Sequence, residues 1–249
     1  MEGIASFRDD TFDPAVRGFL HSPQIPNNHA LILTHGAGSN CNAPLLVALA
    51  ETFCGHGYTV LRCDLPFRQQ RPTGPPFPGQ ADRDRAGLRN AVAAMRKTVG
   101  KDSTVKIFLG GHSYGGRQST ILCAAEPVDR SAGDSPAVAG ATRPRVSDIT
   151  VSALLLLSYP LHPPRKPNQL RIEHLPNLRT PSLFVHGTRD PFGSIAEIKE
   201  ALKLIPAKHE LLEVEGAGHD LGFKGKQQAP DLTARILARF DEMFGLIER

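Results

Sequence analysis

Apolar residues along this chain keep two rhythms. Short runs at Ala30–Thr34, Tyr58–Cys63, Val105–Leu109, Val151–Ser158, Ser182–His186 and Glu210–Val214 read as strands. The most continuous of them suit strands covered on both faces, as parallel strands are. Between them lie stretches in helical period: Ala43–Cys54, Ala81–Val99, a segment ending near Ala125, Ser194–Leu204 and Leu232–Ile247. In the second of these, Leu88, Ala91, Val92 and Met95 form one stripe. The unbroken alternation predicts an α/β chain on a mostly parallel sheet, folded as one domain over residues 1–249. Residues before Asn28 are weakly patterned and predict one or two short edge strands with a turn at Ser22-Pro23. Two stretches break the rhythm. Leu65–Gly79 carries Pro66, Pro72, Pro75, Pro76 and Pro78 with Arg68 and Arg71, and reads as a loop, because proline cannot donate to a central ladder. The segment 126–148 has no periodicity and reads as a short insertion or lid, too small for a cap domain.

Candidate chemistry sits where the strands end. The strand from Val105 runs into Gly111-His112-Ser113-Tyr114-Gly115, followed by a helix-compatible stretch. This is the G-x-S-x-G elbow in its required strand–turn–helix setting. A serine at the apex of so sharp a turn is strained, and the glycines two before and two after it remove side chains that would collide. The hydroxyl then stands by a helix N-terminus, where free N–H groups favour a developing anion. Asp190 and His219 each follow a further apolar strand in a glycine-punctuated loop, and ligands bind open parallel sheets at such ends. The three fit one mechanism: His219 takes the Ser113 proton, and Asp190 fixes the imidazole tautomer and stabilises the imidazolium. Asp148 and Asp220 are the competing acids; the first precedes a strand and the second adjoins the base. His35, His112, His162 and His186 lie in loops facing the same end and are expected to shape or hydrogen-bond the site.

The loop His35-Gly36-Ala37-Gly38-Ser39-Asn40 admits two readings. Gly36 and Gly38 could open a dinucleotide fingerprint with Asp64 as the ribose acid, but Cys41 occupies the third glycine position. The elbow downstream favours the other reading, a loop whose backbone N–H groups meet a substrate oxygen. Asp64 is then a capping or turn residue. On this reading Tyr114 and Ala37 supply the oxyanion donors, and His35, Gly36, Arg71, Arg117 and His162 are candidate pocket residues. Arg68, Arg71 and Arg117 would lend the pocket positive charge.

Composition narrows the classes. Hydrophobic residues make up 40% and charged residues 22% of the 249, and tryptophan is absent, so aliphatic side chains must fill the core. The net charge of +4 and pI of about 9.0 come from 29 basic residues scattered among 25 acidic ones, with no basic block to hold nucleic acid. No 18-residue apolar run and no apolar leader segment occur, which predicts a cytoplasmic chain without a membrane partner. The four cysteines, Cys41, Cys54, Cys63 and Cys123, lack C-x-x-C spacing and are expected as reduced, inert thiols. With no HExxH and no clustered Cys/His ligands, neither a metal nor another cofactor is expected.

Three longer strings sharpen this picture: Gly110-Gly111-His112-Ser113-Tyr114-Gly115-Gly116-Arg117, Tyr159-Pro160-Leu161-His162-Pro163-Pro164 with Lys166-Pro167, and Gly187-Thr188-Arg189-Asp190-Pro191-Phe192-Gly193. On them the chain resembles the α/β-hydrolase superfamily, from His35 to the final helix. More narrowly, it is similar to the dienelactone-hydrolase-like group that includes testis-expressed and NSL-complex-subunit proteins. The resemblance implies a sheet of about seven or eight strands with helices on both faces, no large cap, and a Ser113/Asp190/His219 triad. It implies a serine hydrolase of carboxylic esters or thioesters, and with only a short insertion over the site small or short-chain acyl groups are expected. Dienelactone hydrolases proper use cysteine where this chain has Ser113, so their substrate is not carried over. The chromatin-associated relatives imply an alternative, a hydrolase fold serving as a non-catalytic interaction module.

Overall fold

The computed structural model describes residues 3–100, 104–125, 150–223 and 231–246, and the insertion expected at 126–148 lies outside them. The apolar runs become β3 (Ala30–Thr34), β4 (Thr59–Cys63), β5 (Ile107–His112), β6 (Ala153–Leu157), β7 (Ser182–Gly187) and β8 (His209–Val214). The weakly patterned start forms β1 (Gly3–Asp9) and β2 (Val16–Ser22), seven residues each, paired as an antiparallel hairpin. The eight strands make one sheet in the order β1-β2-β4-β3-β5-β6-β7-β8. β2 meets β4 antiparallel, and every pairing from β4 through to β8 is parallel.

Side chains of the central strands alternate between two cores. Ile32, Leu109, Leu154 and Leu156 join one cluster, and Leu31, Leu33, Phe108 and Leu155 join the other. All five residues of β6 are buried, and each leucine there contributes on the order of 1.5–3 kcal/mol by leaving water. Helices α1 (Pro44–Gly55) and α6 (Leu232–Phe244) cover the Leu31 face. Helices α3 (Ala81–Val99), α4 (Tyr114–Ala125) and α5 (Ile195–Leu202) cover the Ile32 face. This is the expected mostly parallel α/β sheet with helices on both faces. Among the described residues no helix is long and apolar enough to cross a membrane. All four cysteines are buried and none is in a disulfide, and burial pushes the Cys41 thiol up to about 12.

The 65–79 stretch departs from expectation, since it holds a one-turn helix, α2 (Pro66–Gln70). Pro66 stands at its first position, where the missing N–H has no partner to lose and φ is already helical. The parallel register sets the C-terminal ends of β3, β5, β6, β7 and β8 side by side, so five loops from distant parts of the chain converge.

Candidate active site

The elbow is built by close backbone approach. Ser113 has φ 51°, a left-handed conformation that a serine holds only when its surroundings impose it. Its N–H donates to Leu157 O of β6 at 2.8 Å, and its carbonyl accepts from Arg117 N–H at 2.9 Å in the first turn of α4. A Cβ on Gly111 would stand 2.6 Å from both Gly116 N and Thr34 Oγ1. One on Gly115 would stand 2.3 Å from Thr34 Oγ1 and 2.7 Å from His35 O. The two glycines therefore let α4 start directly against the ends of β3 and β5.

Ser113, His219 and Asp190 meet in one line. Ser113 Oγ–H donates to His219 Nε2 at 2.8 Å, and His219 Nδ1–H donates to Asp190 Oδ2 at 2.8 Å. The Asp190 side chain is wholly buried, and its Oδ1 accepts Phe192 N–H at 2.8 Å, so both oxygens are occupied by donors. Asp148 lies outside the described residues. Asp220 is not the partner of His219 Nδ1; one of its oxygens accepts Gly222 N–H at 3.1 Å.

Other side chains hold the imidazole in place. Phe192 stacks on the His219 ring with centroids 4.1 Å apart, a contact that sequence reasoning missed. His112 Nε2–H donates to His219 O at 2.7 Å, and the rings lie 5.0 Å apart. His186 Nε2–H donates to Gly193 O at 2.8 Å, closing the loop that carries Asp190. Burial lowers the His186 pKa, so it stays neutral beside Asp190 Oδ2, 3.8 Å away. The loop histidines do support the site, as expected for His112 and His186.

The loop after β3 is held by buried polar side chains. His35 is fully buried, not the pocket residue expected of it: Nδ1–H donates to Gly36 O at 2.8 Å and Nε2 accepts Leu65 N–H at 3.1 Å. Burial lowers its pKa, consistent with a neutral ring donating from one nitrogen and accepting at the other. Gly36 O also accepts Ser39 N–H at 3.1 Å. In a trans peptide the N–H points opposite the carbonyl, so fixing Gly36 O fixes the direction of Ala37 N–H. Gly36 itself lies on the elbow, since a Cβ there would stand 2.9 Å from His112 Nδ1 and 3.4 Å from Ser113 Cβ. Arg68 is buried, with Nε–H donating to Ser39 O at 2.7 Å and Nη2–H to Ala37 O at 3.0 Å and Gly74 O at 2.8 Å. It ties loops together instead of charging a pocket. Asp64 Oδ1 accepts Cys41 N–H at 2.7 Å, the turn role expected of it, and α1 begins only at Pro44, well past the glycines a dinucleotide loop would use.

Tyr114, the first residue of α4, has an N–H with no carbonyl to meet within the helix. Its hydroxyl donates to Asp84 Oδ2 at 2.7 Å, and Asp84 Oδ1 accepts Phe67 N–H at 3.0 Å. Burial pushes the Asp84 carboxyl up, opposed by these two hydrogen bonds. Sequence reasoning passed over Asp84, although it stands one helical turn before Leu88 on the apolar stripe of α3, where a carboxylate is out of place.

The remaining pocket candidates lie elsewhere. Arg71 is spent inside its own loop, over the Phe77 ring at 3.7 Å and donating to Pro75 O, because its short loop returns the side chain on itself. Arg117 groups with Tyr159, Arg171 and His174 on the flank of α4; burial and then the Arg117 charge hold His174 down to about 4. His162 is buried, with Nδ1–H donating to Pro163 O at 2.8 Å and its backbone N–H to Phe192 O at 3.0 Å, so it braces the residue stacked on His219. A cavity of about 640 Å³ lies between the 161–172 loop and α5, lined by Leu161, Leu170, Ile172, Ala201 and Leu204 among others; Ser113, Asp190 and His219 do not line it.

Residues 27–242 match a family described as an alpha/beta hydrolase domain. The fold is similar to a dienelactone hydrolase from Anabaena variabilis (18% identity, 100% of this chain and 99% of that one, TM-score 0.67). It is also similar to an alpha-beta serine hydrolase homologue from Coxiella burnetii (15%, 100% and 99%, TM-score 0.65). A third is a serine hydrolase without lid from Xanthomonas campestris (14%, 95% and 94%, TM-score 0.67).

Proposed function

The chain belongs to the alpha/beta hydrolase domain family, and from that membership we propose that it is a serine hydrolase cleaving a carboxylic ester or thioester through an acyl-enzyme on Ser113. One observation carries the reading: two 2.8 Å hydrogen bonds run from Ser113 Oγ through His219 to a buried Asp190. A serine hydroxyl attacks a carbonyl only when its proton has somewhere to go. His219 Nε2 accepts it as the Oγ–C bond forms, and Asp190 holds Nδ1–H in place and stabilises the imidazolium. The carbonyl oxygen becomes an oxyanion facing Tyr114 N–H and Ala37 N–H, donors worth about 2.7–4 kcal/mol each in such sites. Collapse expels the alcohol or thiol, which takes the proton from His219. Water then gives a proton to the same nitrogen as it attacks the acyl carbon, and His219 returns that proton to Ser113 Oγ as the acyl–Oγ bond breaks and the acid leaves.

Small or short-chain acyl groups are the proposed substrates. What supports this is that the one stretch expected to stand over the site, 126–148, is too short for a cap domain. A chain-length series of nitrophenyl esters tests it, and rates rising steadily past octanoate would reject it. The mechanism is tested by a fluorophosphonate probe with mass mapping of the adduct. Stoichiometric labelling at Ser113, lost in Ser113→Ala and His219→Ala, is expected. Folded wild-type protein that stays unlabelled would overturn the reading.

A further inference from the structure

We propose that Asp84 is a positioning residue that locks the two oxyanion donors to one another, a role that rests on the serine-hydrolase reading above. It lies on α3, outside the loops that carry Ser113, Asp190 and His219, and its residue surface is fully buried. Each of its oxygens serves a different half of the site. Oδ2 accepts the Tyr114 hydroxyl at 2.7 Å. Tyr114 is thereby anchored at both ends, by its backbone at the start of α4 and by its hydroxyl on α3, and its N–H has little freedom to swing.

Oδ1 accepts Phe67 N–H at 3.0 Å and so seats α2. Leu65, two residues before Phe67, and Arg68, the next residue after it, then reach the loop of the second donor. Leu65 N–H donates to His35 Nε2 at 3.1 Å, which leaves His35 Nδ1–H for Gly36 O, and that bond orients the Gly36–Ala37 peptide. Arg68 donates to Ala37 O and Ser39 O. The Phe67 ring closes the arrangement, packing edge-on against Tyr114 with centroids 5.7 Å apart and against His35 at 5.5 Å. One buried carboxylate therefore joins Tyr114 N–H to Ala37 N–H through its own two hydrogen bonds, the Phe67 ring and the His35 bonds to Leu65 and Gly36.

A wholly buried carboxylate is costly unless its oxygens are satisfied, and here Phe67 N–H and the Tyr114 hydroxyl satisfy both. What the carboxylate adds is fixed direction at two donors, and a preorganised hole stabilises the transition state more than the ground state. The loss on loosening it therefore falls on kcat and not on KM.

The test uses the purified full chain with nitrophenyl acetate, inhibition by phenylboronic acid as an oxyanion mimic, and thermal melts. Tyr114→Phe leaves both backbone donors present and removes one anchor; it is expected to lower kcat about tenfold, with KM within about twofold and boronate affinity falling in step. Asp84→Asn can still accept Phe67 N–H with its oxygen and donate to the Tyr114 oxygen with its amide, so it is expected within about threefold of wild type. Asp84→Asn combined with Tyr114→Phe strands that amide, and should fall below Tyr114→Phe alone. Tyr114→Phe with unchanged kcat, or with its loss confined to KM or to the melting temperature, overturns the proposal while Ser113 dependence stands. Equal turnover by wild type and Ser113→Ala overturns the underlying reading instead, and this role with it.

Discussion

Replacing Asp190 by asparagine changes one oxygen to an amide in a pocket that admits no water, and both oxygens there already hold donors. Oδ1 accepts Phe192 N–H and Oδ2 accepts His219 Nδ1–H, each at 2.8 Å. An amide oxygen can serve only one of them. If it stays with Phe192, the amide N–H group faces His219 Nδ1, the proton moves to Nε2, and Ser113 loses its base. If it turns to His219, the tautomer survives but two N–H groups collide at Phe192. That orientation costs about 1–3 kcal/mol for an unsatisfied buried donor. Losing the negative charge beside the imidazolium adds about 1.5–3 kcal/mol, the strength of a charge-assisted bond. The sum, about 2.5–6 kcal/mol, corresponds to a fall in kcat/KM on the order of 10²–10⁴-fold. The assay is steady-state hydrolysis of nitrophenyl acetate by wild type and Asp190→Asn, with near-ultraviolet dichroism to establish that both are folded. A folded variant within about fivefold of wild type would refute the reasoning, since Asp190 would then not set the His219 tautomer.

Gly115→Ala sets two effects against each other. Alanine favours a helix by up to about 1 kcal/mol, but its Cβ would stand 2.7 Å from the backbone oxygen of His35, which cannot rotate away. A net loss of about 1–2 kcal/mol in urea unfolding is expected, with slower labelling of Ser113; equal stability would reject the close-approach argument. His21 is held down to about 4, first by burial and then by Arg62, against an ordinary 6.5. The unfolded chain therefore binds the proton first, so stability present above pH 6.5 is lost as pH falls toward 4, by about 3 kcal/mol. His21→Gln, whose amide oxygen can still accept Arg62 Nε–H, should flatten the fall in urea midpoint over that window; an unchanged slope would point to other groups.

The elements that sequence periodicity carries came through nearly residue for residue. β3 occupies Ala30–Thr34 and α3 occupies Ala81–Val99 as expected, because a buried strand and a long amphipathic helix each repeat their signal several times. α2 is too short to show a period, and its prolines read as loop until Pro66 is recognised as a helix starter. The sequence pattern starts β5 at Val105, but it spans Ile107–His112, so Gly111 of the elbow is strand while Gly115 already belongs to α4. Among site residues, the loop in which a side chain falls was legible and its direction was not. His35 and Arg71 sit in the expected loops, yet one is buried on backbone partners and the other folds onto Phe77. Asp84 did leave a trace, a lone carboxylate in register with Leu88 and Ala91 on the buried stripe of α3.

Completion of the Ser113–His219 contact depends on where His219 stands. That residue comes after β8, the last strand of the sheet, which among the described residues is an edge strand paired with β7 alone. Until that strand docks, Ser113 has no base within reach. A chain emerging from the ribosome thus carries its hydroxyl for more than a hundred residues of synthesis as an inert alcohol, harmless to its neighbours and blind to electrophiles. Reactivity of that one atom is consequently a report on the whole sheet, and probe labelling during refolding would time the closing of its final edge.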